Sequence, residues 1–438
     1  MFQINKLFQK LINVNTQQRI SLTLIFFFLL FSRSFMGLYI FRFRIGEYIV
    51  LIGLLLSVYY LYKIFKGNFV DKRIQFNYIL IILSFFLSYL ISSSTLSDTY
   101  TFKSSSYIWV VAFIFLGYNL SDNNFDKKIL KAFTPLPLLI YFLQVLLPNN
   151  IKDIIEEFFY TYSDKLEFHK GSDLVLIYVV IISINNKYIS KENYRFYYFL
   201  TISSLFLPLI LYKSRAAIIA TVIFFLFEIF KNRRFYIRDF KIIITSLLIL
   251  SSVFFISVFF ISNSNSLEKD DSIVDLQSII EFRYQGYNQS NEDLPFLFIK
   301  EERLYSADGN LNWRLQIWQD VIKDLNTSPV LRYFGYGYKS IIPAMDMESR
   351  QGNGIIKNEN VHNNFLNIFA RGGMVQLILF ISLYLFIIKV YKIKFKNLNV
   401  LYFLLPLLFC SFFDASMENS HYPVIFYFFL GRLLKTEY

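Results

Sequence analysis

The sequence predicts an all-α, polytopic integral membrane protein with about twelve transmembrane helices and one long, partly helical loop. Hydrophobic residues make up 55% of the 438 and aromatic residues 20%, a composition that excludes an ordinary soluble domain. Apolar segments of roughly 20 residues, the length that spans a bilayer, recur along the chain. A single hydrophilic stretch of 99 residues, 263–361, interrupts them.

Twelve apolar segments fit the length of a membrane-spanning helix. The first is the least regular, because Arg33 lies in its middle. The segments lie near 20–41, 46–65, 76–93, 104–120, 129–148, 174–189, 196–213, 215–231, 241–262, 367–391, 398–414 and 421–435.

The net charge of +12 is distributed as the positive-inside rule predicts for a bacterial inner membrane protein. Basic residues concentrate in alternate connections, for example 63–73, 231–241 and 389–396, whereas the 263–361 stretch holds 15 acids and 10 bases. This pattern favours the lipid bilayer as partner over nucleic acid. An even number of spans places both termini in the cytoplasm and the long stretch outside.

The chain is therefore predicted to have three parts. Residues 1–262 form transmembrane helices 1–9, residues 263–361 form an extracytoplasmic loop with amphipathic helices, and residues 362–438 form transmembrane helices 10–12. The single Cys410 allows no disulfide or cysteine metal site, and the three histidines lie far apart in sequence. We therefore expect no metal and no cofactor.

Two segments of the outer loop have the periodicity of amphipathic helices. In 272–285 apolar residues recur at helical spacing, which suits a helix on the membrane surface. In 311–325 they form one arc, and Arg314 falls near its middle. The apolar arc contains Leu311, Leu315, Ile317, Trp318, Val321, Ile322 and Leu325.

Arg314 needs an anionic partner, because an unpaired charge on a packed face is costly. One interpretation is a structural ion pair with an acid of another element. The other is a phosphate clamp, for which the forked guanidinium is well suited. We expect Pro329 to end this helix. Tyr336, between Gly335 and Gly337, indicates a tight turn with close backbone approach; a plain turn and a wall of a sugar site both remain open.

Five charged or titratable residues from distant parts of the chain are predicted to meet at the outer face. They are Arg215, Arg314, His362, Asp414 and Glu418. The two arginines could bind a diphosphate leaving group and offset its developing charge, while the histidine could accept the proton of an attacking hydroxyl. The plainer alternatives are snorkelling anchors at helix ends.

His362 opens the run His-Asn-Asn-Phe-Leu, immediately before the tenth predicted span. A structural interpretation is that this run caps the helix, with Asn363 or Asn364 as the N-cap residue. The catalytic interpretation makes His362 a general base and Asn363, with Tyr336, a binding or supporting residue.

These motifs resemble those of the O-antigen polymerase and ligase superfamily of bacterial envelope enzymes. The resemblance covers residues 200–390 by motif and the rest by topology. It rests on Ser214-Arg215-Ala216, Asn312-Trp313-Arg314 with Trp318, Phe334-Gly335-Tyr336-Gly337, and His362-Asn363-Asn364-Phe365-Leu366 with Gly372-Gly373.

The resemblance implies a metal-independent, inverting membrane glycosyltransferase of the C type. Its donor would be a glycan on undecaprenyl diphosphate, and its product would belong to O-antigen, capsular or exopolysaccharide. Carried onto this chain, Arg215 and Arg314 become the diphosphate ligands and His362 the base. A chain-length regulator is a further partner that the resemblance implies.

Within the superfamily, polymerases join repeat units, whereas ligases move a finished chain to lipid A core. A ligase-associated motif has His-Asn, nine residues, Gly, two residues, then Gly, Thr or Tyr. Here Gly373 fits, but Gln376 occupies the last position. We therefore favour a polymerase, with the ligase as first alternative.

A flippase for lipid-linked oligosaccharides is the alternative outside the enzymes. Such transporters are expected to have short loops and charges within their spans, whereas this chain has a 99-residue outer stretch and most charges at span ends. A glycosyltransferase with a catalytic acid in its first outer loop is disfavoured, because that loop has no Asp. A membrane scaffold would leave Arg314 unexplained.

Overall fold

The structure, a computed structural model, is helical almost throughout. It describes residues 14–67, 70–94, 98–121, 129–147, 149–163, 168–233, 235, 240–265, 296–300, 302–306, 308–346 and 359–436. Within these ranges the only strands form two short antiparallel hairpins, β1 (Tyr39–Ile40) with β2 (Phe43–Arg44) and β3 (Leu297–Lys300) with β4 (Arg303–Ser306).

The helices follow the hydropathy of the sequence, and each of the twelve predicted segments coincides with helical structure. Their bounds in chain order are α1 Val14–Gly37, α2 Ile45–Lys66, α3 Lys72–Ile91, α4 Thr99–Ser104, α5 Ser106–Trp109, α6 Phe113–Asn119, α7 Leu136–Tyr141, α8 Asn149–Tyr162, α9 Gly171–Tyr188, α10 Glu192–Lys213, α11 Arg215–Lys231, α12 Phe240–Asn265, α13 Gly309–Leu325, α14 Pro329–Phe334, α15 Asn364–Phe395, α16 Val400–Phe413 and α17 His421–Lys435.

Several helices are long and apolar enough to cross a membrane. In the described ranges seven meet that description, namely α1, α2, α3, the segment Ile129–Leu146, α10, α12 and α15. The segments Ser106–Asn119 and Val400–Phe413 are apolar but shorter. The all-α, polytopic membrane class is thus confirmed, while the number of twelve spans and the three-part division remain predictions.

Helix α17 lies at the centre of the bundle. Every residue from His421 to Leu434 is buried, as expected for a helix that is apolar on all sides. It packs along α6, while α3 packs on α15 and α10 on α12. The first predicted span, which Arg33 interrupts, is a kinked helix. The kink in α1 lies at Ser32 (φ 45°, ψ −120°), directly before Arg33.

A second, smaller hydrophobic core lies around α13. Helix α13 buries Ile317, Val321 and Leu325 against Ile342 and Val361, among others. The helix predicted over 311–325 is therefore confirmed, and it begins two residues earlier, at Gly309, with Asp308 as its N-cap. The helix predicted over 272–285 lies outside the described residues.

Two details of that prediction are wrong. Ile322 was placed on the packed arc, but it is 45% exposed, because the neighbouring elements cover only the Ile317 and Val321 side of α13. Pro329 does not end α13, which stops at Leu325. It occupies the first turn of α14 instead, where its missing N–H costs nothing.

Candidate functional site

A break in α15 joins two of the motifs that the sequence singled out. Gly373 has φ 68° and ψ −171°, which interrupts the helix. The interruption leaves carbonyl groups of the preceding turn without helical donors. Tyr336 N–H donates to the Ala370 carbonyl (2.8 Å), and Gly337 N–H donates to the Arg371 carbonyl (3.0 Å). The exposed carbonyl groups at the break therefore bind the backbone of Tyr336 and Gly337.

Both glycines at this junction are required by backbone proximity. A Cβ on Gly335 would lie 2.6 Å from the carbonyl oxygens of Ala370 and Arg371, and one on Gly373 would lie 2.2 Å from the backbone of Tyr333. Gly335 also has a positive φ of 73°, which side chains disfavour. The predicted close backbone approach is confirmed.

His362 stands at the entry to α15. Its backbone is left-handed, with φ 54°, and Asn363 caps the helix by accepting from Leu366 N–H at 3.0 Å. The cap assigned to Asn363 or Asn364 is thus Asn363, which frees the histidine from that task. The ring of Trp313 contacts the imidazole edge-on, with centroids 5.2 Å apart. Nδ1 of His362 is buried and has no hydrogen-bond partner in the described part of the chain.

The surroundings of His362 favour the neutral imidazole. Burial, and then the positive charge of Arg314, lower the pKa of His362 to about 4. Lys170 and Arg33 act in the same direction, while Asp414 opposes them. The side chain is consequently an unprotonated acceptor at neutral pH, with cations around it.

Arg314 is partly buried on α13, and its Nη1 donates to the carbonyl of Phe413 at the end of α16. The structural ion pair, one of the two interpretations of Arg314, is not found among the described residues, whereas the phosphate clamp stays a prediction. Asp414 and Asp308 act on it through space, whereas burial lowers its pKa. The carbonyl at the C-terminal end of a helix carries partial negative charge and takes the place of an acid.

Arg215 is the first residue of α11, behind the N-cap Ser214. Its Nη1 forms an ion pair with Asp308 Oδ2, and the arginine side chain is 39% exposed. Asp308 also caps α13 through Oδ1, which accepts from Leu311 N–H at 2.8 Å. One carboxylate thus ties Arg215 to the helix that carries Arg314.

The small residues on either side of Arg215 allow close packing. A Cβ on Gly171, the first residue of α9, would lie 2.6 Å from Cβ of Ser214 and 2.9 Å from Cβ of Ala217. The starts of α9 and α11 therefore adjoin. Since helix N-termini carry partial positive charge, their adjacency adds to the positive potential at this face.

Asp414 connects the last pair of long helices to α9. Its Oδ2 accepts from Ser172 Oγ at 2.6 Å, its Oδ1 accepts from Ala415 N–H at 2.8 Å, and Lys170 Nζ lies 3.9 Å from Oδ1. Lys170 was missed in the sequence analysis because it lies 244 positions from Asp414 in the printed sequence. Its ammonium makes no hydrogen bond in the described ranges, and its side chain is 31% exposed.

Glu418 and Tyr336 also carry buried atoms without partners among the described residues. These atoms are Glu418 Oε1 and Tyr336 Oη. Burial raises the pKa of Glu418 to about 8, although Arg371 opposes this effect, and burial raises the pKa of Tyr336 to about 12. Both groups are therefore protonated near neutral pH.

Arg371 of α15, a further residue that the sequence analysis missed, contacts the Gly335–Ser340 segment. It is 3% exposed. Its Nη1 donates to the carbonyls of Gly337 (3.3 Å) and Ser340, and its Nη2 donates to Tyr100 Oη (2.7 Å). The residue therefore fixes the Gly335–Ser340 segment against the bundle.

One contact and several electrostatic influences link the predicted site residues. Arg215 forms an ion pair with Asp308. Asp308 acts electrostatically on Arg314, and Arg314 and Asp414 both act on His362. Among the described residues no group of three or more His, Cys, Asp or Glu side chains is arranged to hold a metal ion. The arrangement concentrates cations around an uncharged proton acceptor, which suits the departure of an anionic group.

Residues 199–381 match the family model described as O-antigen ligase. The match includes Arg215, Arg314 and His362 and supports placing the chain in the O-antigen polymerase and ligase superfamily, as the motifs indicated. The family points to a bacterial multi-pass membrane enzyme of the glycosyltransferase type that acts on lipid-linked glycans. No curated protein matches the chain.

Proposed function

We propose that the chain is a polymerase of O-antigen, capsular or exopolysaccharide repeat units. It transfers a glycan from undecaprenyl diphosphate to a hydroxyl of an acceptor sugar at the outer face of the bacterial inner membrane. Both termini are then cytoplasmic, and the 263–361 loop is extracytoplasmic. The observation that carries the proposal is the buried, unpartnered Nδ1 of His362 beside the cation Arg314.

In the proposed reaction the acceptor oxygen attacks the anomeric carbon of the donor sugar. The bond between that carbon and the diphosphate oxygen breaks, so the configuration inverts. His362 takes the proton of the acceptor hydroxyl, for which a neutral imidazole is required. The lowered pKa of His362 keeps it neutral across the physiological range.

In the proposed reaction cationic side chains, and not a metal ion, hold the leaving diphosphate. Arg314 uses one guanidinium nitrogen on Phe413 and presents the rest of its fork to an anion. Arg215 contacts the diphosphate while it keeps its ion pair with Asp308, and Lys170 adds a third positive charge. These cations offset the negative charge that develops as the bond breaks.

A ligase that transfers the glycan to lipid A core is the second candidate. Two observations favour it: the description of the matched family as O-antigen ligase and the position of Gly373, ten residues after Asn363. Gln376 supports the polymerase, because the ligase-associated motif has Gly, Thr or Tyr at this position. Here the Gln376 side chain instead accepts from the buried hydroxyls of Tyr107 and Tyr338, an arrangement that a Gly would remove. Nothing found favours the flippase.

The test is the surface polysaccharide of cells that lack the gene, complemented with wild type or His362→Ala. The polymerase proposal expects single repeat units on the deletion strain and long chains after wild-type complementation. His362→Ala should fail to restore long chains at equal membrane levels. Long chains that accumulate on undecaprenyl diphosphate would establish the ligase. Full rescue by His362→Ala would contradict the catalytic role.

A further inference from the structure

The short turn Ala415–Glu418, between α16 and α17, contains buried polar groups without partners. Ser416 Oγ and Glu418 Oε1 are both buried and make no hydrogen bond within the described ranges. Each such group costs about 1–3 kcal/mol in a folded protein, so its retention calls for an explanation. One explanation that fits the chemistry of these groups is a bound molecule that supplies the missing hydrogen bonds.

The turn and the base share two charged neighbours. Asp414 and Lys170 act electrostatically both on His362 and on Glu418. The two residues lie 3.9 Å from each other, and Asp414 directly precedes the turn as its N-cap residue. These shared neighbours relate Glu418 to the reaction centre of the proposed function.

The groups around Glu418 come from every side of the turn. Arg371 faces it from α15, Asp414 from the end of α16 and Lys170 from the start of α9. Glu418 also interacts electrostatically with Tyr100 of α4 and Tyr107 of α5. Because burial raises the pKa of Glu418 to about 8, its carboxyl is uncharged at neutral pH and both donates and accepts hydrogen bonds.

We propose that the turn Ala415–Glu418 is the acceptor-sugar subsite, in which the buried, unpartnered carboxyl oxygen of Glu418 and the hydroxyl of Ser416 bind hydroxyl groups of the acceptor and position one of them toward His362. The inference rests on the proposed glycosyl transfer and adds the acceptor to it. A neutral carboxyl suits a sugar, since the hydroxyl groups of a sugar are themselves donors and acceptors.

The test compares Glu418→Leu and Glu418→Gln in the full-length protein reconstituted in lipid nanodiscs. Glu359→Gln is the matched control, because Glu359 is an outer-face acid paired with Lys103 at 2.6 Å. Two probes are titrated by calorimetry. One is the repeat-unit oligosaccharide released from its lipid by mild acid, which reports on the acceptor subsite. The other is undecaprenyl diphosphate, which reports on the donor subsite.

Glu418→Leu is expected to weaken oligosaccharide binding about tenfold, the equivalent of one or two lost hydrogen bonds, with undecaprenyl diphosphate binding unchanged. Glu418→Gln keeps an uncharged donor and acceptor and should stay within about threefold of wild type. The melting temperature of Glu418→Leu should not fall, because the free protein loses no hydrogen bond from Oε1. A structural role would instead lower it.

Unchanged oligosaccharide binding in Glu418→Leu would overturn the acceptor subsite, and so would an equal loss for both probes. A Glu418→Gln variant as weak as Glu418→Leu would overturn the neutral-acid role. The proposed function has a separate sign of failure, namely wild-type protein that binds neither probe.

Discussion

Replacing Arg314 tests the energetics of the site most sharply. Its guanidinium lies on α13 with Nη1 engaged by the Phe413 carbonyl, and no acid pairs with it among the described residues. In Arg314→Met the diphosphate loses a forked, charge-assisted contact. Each such bond contributes about 1.5–3 kcal/mol, and removal of one preorganised donor lowers kcat by about 10²–10³ in comparable sites.

We therefore expect Arg314→Met to lower kcat by about 10²–10³. Arg314→Lys keeps the charge but loses the planar fork, so its loss should be smaller, about tenfold. Lys323→Met is the control, because Lys323 is an exposed cation near the end of the same helix. The lost Phe413 contact should reduce the free energy of unfolding by about 1 kcal/mol.

The assay follows chain elongation of purified, lipid-linked repeat units by protein reconstituted in liposomes, at saturating substrate. Thermal melting of each variant separates lost folding from lost catalysis. An Arg314→Met variant that folds and elongates chains within threefold of the Lys323→Met control would refute the role given to Arg314.

Two further predictions concern folding and pH. Gly373→Ala should reduce the free energy of unfolding by at least about 2 kcal/mol, because the new Cβ would lie 2.2 Å from the backbone of Tyr333. Gly67→Ala is the control, because its Cβ would meet nothing within 4 Å. Equal melting temperatures of the two variants would contradict the close approach. The folded-state pKa of His362 is about 4, below the ordinary 6.5, so the neutral base persists as pH falls until about 4. The acid limb of kcat/KM should therefore lie near pH 4, since the free enzyme's base sets that limb, and a limb near 6.5 would contradict it.

The membrane helices were predictable because hydropathy depends on local sequence alone. All twelve apolar segments coincide with helical structure. The breaks within them were not predicted, since a kink such as the one at Ser32 (φ 45°) or Gly373 (φ 68°) depends on what docks there. At Gly373 the docking element is the Tyr336–Gly337 backbone, whose partner positions are more than 30 residues away.

The chemical character of the site was predictable, but its counter-charges were not. Arg215 and His362 stand out by residue type and by position at span ends, and Arg314 stands out as a charge on an apolar arc. Asp308, the partner of Arg215 across 93 positions, shows no local pattern. The same holds for Lys170 beside Asp414. The contact of Arg314 with the Phe413 carbonyl was not predictable either, because it joins positions 99 residues apart.

The central claim is that His362 accepts the proton in glycosyl transfer from undecaprenyl diphosphate. Its most direct test is a single-turnover reaction of the reconstituted protein with radiolabelled, lipid-linked repeat units. Wild type should convert them to longer chains and release undecaprenyl diphosphate. His362→Ala should bind undecaprenyl diphosphate normally and yet transfer at least about 10²-fold more slowly, the scale of a general base. Transfer at the wild-type rate by His362→Ala would contradict the account.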